Sequence, residues 1–471
     1  MIGIQARTVR LASLALAVAM GATATHGEPL ESALARAYLN NPALNSARAS
    51  ARATDENVPQ ALAGYRPKVA LTATGGEQSI SGTTKTTSAF QGAPVYSTDS
   101  GYNSPFSVGL TLTQNLFDGF QTTNRTRQAE AQVMAARASL ANTEQTVLLD
   151  SATAYMNLLR DFAILDLQRR NVEVLQQQLR QTRERFNVGE VTRTDVAQAE
   201  ASLAAGRSQV LIAESNYAGS RATYRQVIGV EPGRLVAAAP VDRFSPHSLA
   251  GAVTLGVTAN PLVAAAQYNV DVAMRQVKIA EGALSPSLSM QGSLQQGFLG
   301  AGLLSTMKSN SASLFGTLTV PIYQGGAEYS LIRQAKEQLG QRRLDLDTIR
   351  DQVRQAIIQA WGQVQAAIGN IKATQAQVQA AEIALNGVRD EAAVGQRTTF
   401  DVLTAQQTLV NARVAMVTAQ HDRVVASYTL LAAVGRLNPR VLGLRVPVYR
   451  PQLHYHLVRD AWAGSRVPDG R

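Results

Sequence analysis

The chain has 471 residues, no cysteine and a formal net charge of +10. The lack of cysteine excludes disulfides, thiolate metal sites, Cys nucleophiles and a lipidated N-terminal Cys. Its arginines are scattered along segments that also carry Glu, Asp and Gln, which reads as solvated helix face and not as a nucleic-acid surface.

Residues 1–27 predict a secretory signal: Arg7 and Arg10, then the apolar run Leu11 to Met20, then an Ala22-Thr23-Ala24 cleavage candidate. Removing them leaves a formal charge of +8. Beyond the signal there is no run of 18 or more apolar residues, so the sequence offers no transmembrane helix. A membrane crossing would have to be made by strands.

Asn41-Pro42 opens an Ala-rich helical segment. Pro67 then introduces an alternating run with Val69, Leu71 and Ala73, predicting a strand over about 66–76. The Ser/Thr/Gly-rich stretch Glu77 to Asn103 predicts a long loop. Phe106, Val108, Leu110 and Leu112 alternate with Ser107, Gly109, Thr111 and Thr113, predicting a second strand over about 104–115. From Thr123 to Asn187 there is no proline, and Leu158, Leu165, Val172, Leu179 and Phe186 recur every seven residues. That period is the coiled-coil one, because 3.5 residues per turn keeps one seam facing its partner. The chain breaks at Val188-Gly189, where glycine suits a left-handed helix end. Thr192 or Thr194 can cap the next helix, and Val196, Leu203, Val210, Tyr217 and Tyr224 continue in heptads.

The same order then repeats. Asn260-Pro261 follows Asn41-Pro42 by 219 residues, and Pro286 follows Pro67 by the same offset. Leu318-Thr319, Arg333-Gln334-Ala335, Val394-Gly395 and Asp401-Val402 echo first-copy residues at an offset of 206, so the first copy carries 13 extra residues between Ala73 and Leu110. The second copy predicts strands over about 285–296 and 311–322, a hairpin loop around Gly297, Gly300 and Gly302, and helices meeting at a tip near Gly395. Its seams are Val364, Ile371, Val378, Leu385 and Ala392, then Val402, Leu409, Met416 and Leu430, with Arg423 interrupting. Thr398 or Thr399 supplies the cap. The domain reading is a signal over 1–27, repeats over 28–240 and 241–440, and an extended or disordered tail over 441–471. Such a period is far too long for a solenoid; it is a duplicated domain half.

Runs of about 8–11 residues suit tilted membrane strands. Four strands cannot close a barrel, and open sheet edges are not tolerated in lipid. The strand count therefore predicts oligomers, with three chains giving a barrel wide enough for an aqueous lumen. No nucleophile–base pattern is visible, and the histidines, including the His454-Tyr455-His456 pair, lack metal-site company, so neither enzyme activity, cofactor nor metal is expected.

Arg185-Phe186-Asn187-Val188-Gly189 with Thr194-Asp195-Val196, and Val394-Gly395-Gln396-Arg397-Thr398-Thr399-Phe400-Asp401-Val402-Leu403, resemble motifs of the TolC-like outer-membrane efflux protein family. So do the turns Asn115-Leu116-Phe117-Asp118-Gly119 and Pro321-Ile322-Tyr323-Gln324-Gly325-Gly326. The resemblance covers roughly residues 28 to 440. It implies an α+β membrane protein: a homotrimeric twelve-stranded barrel in the outer membrane of a Gram-negative bacterium, continuing as a helical tunnel through the periplasm. It implies an exit duct for type I secretion or tripartite efflux, with a periplasmic adaptor (membrane fusion protein) and an inner-membrane ABC or proton-driven transporter as partners. It also implies a periplasmic gate of Arg397 with Thr194 and Asp195, joined by Gln178 and by Arg389 at a position that is usually acidic. Asp401 would ring the constriction, its usual acidic companion replaced by Thr404. Ala392 stands where the family often has Tyr. Val188, Gly189, Val394 and Gly395 would form the adaptor-docking tips. The rival readings are a secreted or periplasmic coiled-coil structural protein with a soluble sheet, and a duct dedicated to drug efflux only.

Overall fold

A computed structural model describes residues 27–87, 94–301 and 305–468; the expected signal lies outside these, Gly27 excepted. In chain order the helices are α1 (Leu30–Asn40), α2 (Pro42–Asp55), α3 (Asn57–Leu62), α4 (Gln121–Asn187), α5 (Arg193–Ile228), α6 (Leu249–Ala259), α7 (Pro261–Gly282), α8 (Ala327–Ala393), α9 (Thr399–Ala433) and α10 (Pro451–Val458). The strands are β1 (Lys68–Gly75), β2 (Gln78–Thr87), β3 (Pro94–Phe117), β4 (Ser287–Ala301) and β5 (Ser305–Thr319).

The duplication is legible in the geometry. α4 and α8 have 67 residues each, about 100 Å of helix at 1.5 Å per residue, and their partners α5 and α9 have 36 and 35. Both Asn-Pro motifs do the same work. Asn41 Oδ1 accepts from the amides of Ala43 and Leu44 while its Nδ2 donates to the Val227 carbonyl at 2.8 Å. Asn260 Oδ1 accepts from the Leu262 amide while its Nδ2 donates to the Ala433 carbonyl at 2.9 Å. Each side chain caps one helix and ties it to the end of another, with proline at the first helical position where no amide is needed. The segment Leu249–Gly282 is apolar and long enough to cross a membrane by composition. It is nonetheless two helices, α6 and α7, broken at Asn260, and α7 packs between α4 and α8.

The heptad seams are buried at Leu158, Leu165, Leu179, Leu203, Tyr224, Val364, Leu385, Leu409 and Leu430. Val172, Val196, Val210, Tyr217, Ile371, Val378, Ala392 and Met416 are half-buried, and Phe186 is exposed at the end of its helix. Arg423, which interrupts the last seam, is buried there because its guanidinium pairs with Asp242. α9 also buries a second stripe beside its first, Leu403, Val410, Val424 and Leu431, because it packs on α4 as well as on α8.

The sheet is antiparallel in the order β1-β3-β4-β5, with β2 paired to the upper half of β3. The expected loop over Glu77 to Asn103 is corrected by this pairing. Gln78↔Asn103 through Thr87↔Pro94 form a polar ribbon that extends β3 to 24 residues. Ser and Thr, loop formers in isolation, serve equally as strand residues once a partner strand is aligned. Gly297 and Gly300, expected in a loop, are likewise paired within β4, opposite Ser309 and Thr306, and Gly302 lies outside the described residues. β5 stops at Thr319, short of the expected 322, because Pro321 has no amide to give the ladder.

The register sorts the faces. Val69, Leu71, Ala73, Phe106, Val108, Leu110, Leu112, Leu288, Met290, Leu294, Phe298, Ala312, Leu314 and Leu318 share one face. Thr72, Thr74, Ser107, Thr111, Thr113, Gln291, Ser293, Gln295, Ser311, Ser313 and Thr317 share the other. From Leu288 to Phe298 the apolar face runs about 33 Å along the strand. A tilt of about 40° reduces that to about 25 Å of height, the thickness of a barrel's lipid-facing band. Beyond the band, Lys308 stands over the Phe298 ring and the ribbon is mostly Ser, Thr and Gly, with Val95, Tyr96 and Tyr102 exposed on it.

The tail is not simply extended. α10 starts at Pro451 and packs on α2, with His454 Nδ1 3.0 Å from Asp55 Oδ2 and Arg137 over the Tyr455 ring.

Candidate functional site: the paired hairpin tips

At the ends of the long helices farthest from the sheet, the chain turns twice in the same way. In the first tip the Glu190 amide donates to the Arg185 carbonyl and the Gly189 amide to the Phe186 carbonyl, both at 2.9 Å. In the second, the Gln396 amide donates to Glu391 at 2.9 Å and the Gly395 amide to Ala392 at 3.3 Å. Both are Schellman closures, and Gly189 and Gly395 take φ of +83° and +78°, where a side chain would be strained. Three residues after its glycine, each tip re-enters helix through a capping box. Thr192 and Asp195 exchange side-chain and backbone hydrogen bonds, as do Thr398 and Asp401. The cap is therefore Thr192, not Thr194, and Thr398, not Thr399. Val188 and Val394 project from the tips, 72 and 71 % exposed.

Within one protomer the residues of the expected gate have other partners. Arg397 Nε donates to Glu391 Oε2 at 2.8 Å, across its own turn, and not to Thr194 or Asp195. Asp195 Oδ2 is taken by Thr192, and Thr194 is exposed. Arg389 donates to Gln406 Oε1 at 3.1 Å and not to Gln178, which is half-buried on α4. Asp401 caps α9 while Thr404 is exposed one turn on. Hydrogen bonds from Thr192 hold the Asp195 carboxyl below the usual carboxylate range, and those from Thr398 do the same for Asp401.

A carboxylate with a depressed pKa stabilises the fold above its unfolded pKa, and that contribution is lost as pH falls through the folded value. Both tips should thus remain capped at neutral pH and fray at pH below about 4. Amide exchange at residues 190–196 and 396–402, followed from pH 6 to pH 3 and corrected for intrinsic rates, checks this; pH-independent protection would sink it.

A contact that the sequence does not announce joins the two hairpins above the tips. Gln406 Nε2 donates to Asn171 Oδ1 at 3.3 Å, so Arg389, Gln406 and Asn171 form a polar chain from α8 through α9 to α4. Asn171 and Gln406 are 4 and 9 % exposed. Beside them Leu403 of the second hairpin enters the core of the first, among Leu175, Leu179, Ala199 and Leu203. The only sequence signal is polar residues lying next to heptad seams.

A sheet with one apolar face, two 67-residue helices and duplicated tips is matched by the model of the outer membrane efflux protein family over residues 33–230 and 257–436. The chain belongs to that family. It is 42 % identical over 444 residues to the outer membrane efflux protein BepC of Brucella suis, covering 94 % of this chain and 93 % of that one. It is 28 % identical to the outer membrane protein TolC of Escherichia coli, covering 89 % of this chain and 84 % of that one. Its fold superposes on the CmeC outer membrane channel of Campylobacter jejuni with a TM-score of 0.73 at 19 % identity, covering 92 % of this chain and 89 % of that one. As an outer membrane efflux protein it is an outer-membrane channel-tunnel, its sheet in the lipid and its helices in the periplasm, and it works with export partners. Because β1 and β2 lie on the same side of β3, each chain contributes four strand positions, and three chains close twelve.

Proposed function

We propose that the duct is the outer-membrane exit of a tripartite efflux assembly, closed at rest by the tips and opened by a periplasmic adaptor with its inner-membrane transporter. The observation that carries this is the pair of matched tips, each rigidly closed at Gly and capped, each presenting a bare valine at the end farthest from the lipid-facing sheet. Exposed apolar groups on a rigid turn suit docking of another helical hairpin, so Val188, Gly189, Val394 and Gly395 form the adaptor surface. In the closed trimer Arg397 would leave Glu391 and bind Thr194 and Asp195 of a neighbouring protomer, a charge-assisted bond that a partner can break. Asp401 would ring the constriction as a single carboxylate per chain, with Thr404 beside it. In the trimer Gln178 would meet Arg389 at a position where an acid is expected, while within the protomer Arg389 holds Gln406.

Similarity to a relative named as an efflux protein favours efflux over protein secretion as the use of the duct. A deletion strain tests this when assayed in parallel for sensitivity to dyes, detergents and antibiotics and for its secreted proteins. Hypersensitivity with an unchanged secretome supports the reading. Loss of specific secreted proteins with normal resistance replaces it with protein export.

Arg397→Ala and Asp195→Ala should each raise the resting conductance of the purified trimer in planar bilayers severalfold; unchanged conductance in both removes the gate assignment. Asp401→Asn, which retains a capping side chain, should lower cation preference, and unaltered selectivity would remove the ring.

A further inference from the structure

The tail runs along α2 and the start of α4 toward the foot of the sheet. His454 meets Asp55, Tyr455 lies against Arg137, Arg459 is 3.8 Å from Glu130, and Arg66 Nη1 donates to the Ala461 carbonyl at 2.6 Å. Arg137 and Glu130 lie about 24 and 14 Å along α4 from its start at Gln121. Arg66 lies two residues before β1, and the neighbouring Tyr65 carbonyl accepts from Gln114 Nε2 in β3, two residues past the lipid-facing Leu112. The ascent therefore ends at the periplasmic rim of the barrel.

There the Trp462 ring stacks on the Arg66 guanidinium, 4.6 Å from its centroid, and remains 72 % exposed. It shares this level with the exposed Phe117, Phe120, Ile322 and Tyr323, which ring the foot of the sheet. Aromatic side chains with one polar edge concentrate at this depth, where ring and headgroup are both satisfied. Leu453 and Leu457 of α10 are also exposed, but they sit near Asp55 and Arg137, far below the reach of lipid.

We propose that Trp462, held by Arg66, is a membrane contact: the tail docks on the headgroup region of the periplasmic leaflet, and its partner is phospholipid. Two features of the surface select that partner. The patch is continuous with the lipid-facing rim of the sheet, and it carries cationic groups, with Arg66 under the ring and Arg466 four residues on in sequence, which complement phosphate. The indole N–H supplies a donor for ester or phosphate oxygens while the ring displaces water from the upper acyl chains. The proposal rests on the placement of the sheet in the outer membrane, so its test includes a separate check of insertion.

The chain has two tryptophans, and Trp361 is a partly buried wall residue, so Trp361→Phe leaves Trp462 as sole reporter. The full-length trimer is reconstituted in phospholipid vesicles and its insertion confirmed by conductance. Lipid brominated near the headgroup end of its chains should remove most of the emission, lipid brominated near the terminal methyl should remove little, and acrylamide should quench far less than in the denatured protein. Free access to acrylamide with no quenching by either lipid would overturn the proposal. Protection from acrylamide without bromine quenching would overturn it too, since protein would then cover the ring. Adding Arg66→Ala should release the ring and restore acrylamide access; unchanged lipid quenching would overturn the role given to Arg66.

Discussion

Leu294→Arg is expected to abolish the barrel, whereas Ser293→Arg, one residue away, is expected to leave it folded. Leu294 stands opposite Leu110 and Ala312 near the middle of the apolar face, and an arginine at the bilayer midplane of a barrel costs about 2–4 kcal/mol. The cost falls on every protomer, so a trimer bears about 6–12 kcal/mol, comparable with the whole stability of an ordinary domain. Ser293 points the other way, bonded to the Ser313 hydroxyl at 2.7 Å on the polar face. An arginine there lines water and should shift the pore toward anions. Heat-stable trimer in the outer-membrane fraction, measured by gel mobility, together with single-channel selectivity, decides between them. If both variants assemble equally, the faces have been assigned the wrong way or the sheet does not meet lipid.

That prediction uses information divided unequally between sequence and structure. Alternation at Phe106 to Leu112 announced the strand and its two faces, because a period of two needs no partner to be read. Heptads announced the long helices, and Gly after a seam announced the tips. The ribbon of 78–87 with 94–103 could not be read this way. Its residues are loop formers unless a second strand is in register, and register is a non-local fact. Pro451 did carry a helix-start signal, but eight residues amid prolines and arginines have little propensity, and what holds α10 is Asp55 and Arg137 from distant parts of the chain. The tip residues were legible as positions but not as partners. Thr192, Glu391 and Gln406 are the groups that Asp195, Arg397 and Arg389 touch, and side-chain pairing follows from turn geometry and helix phase that spacing alone leaves open.

The coupling between the hairpins lies in the least legible of these contacts, with Asn171 and Gln406 separated by 235 residues. Gln406→Leu removes the donor to Asn171 and strands a buried amide oxygen; Asn171→Leu strands the Gln406 amide in turn. An unsatisfied buried polar group costs about 1–3 kcal/mol, so each single variant should loosen the hairpins by that amount per protomer. The double variant places two leucines beside Leu175 and Leu403, where apolar groups of similar size can replace the pair at little cost. Each single change should therefore raise resting conductance and speed amide exchange over 165–180 and 400–412, and the double change should bring both back toward the parent. With each single at about 1–3 kcal/mol and the double near neutral, the coupling expected from this cycle is about 2–6 kcal/mol, the double variant being less disturbed than the sum of the singles. Simple addition of the two single effects would mean that the polar chain joins the hairpins in geometry alone, leaving Leu403 and its apolar neighbours to hold them together.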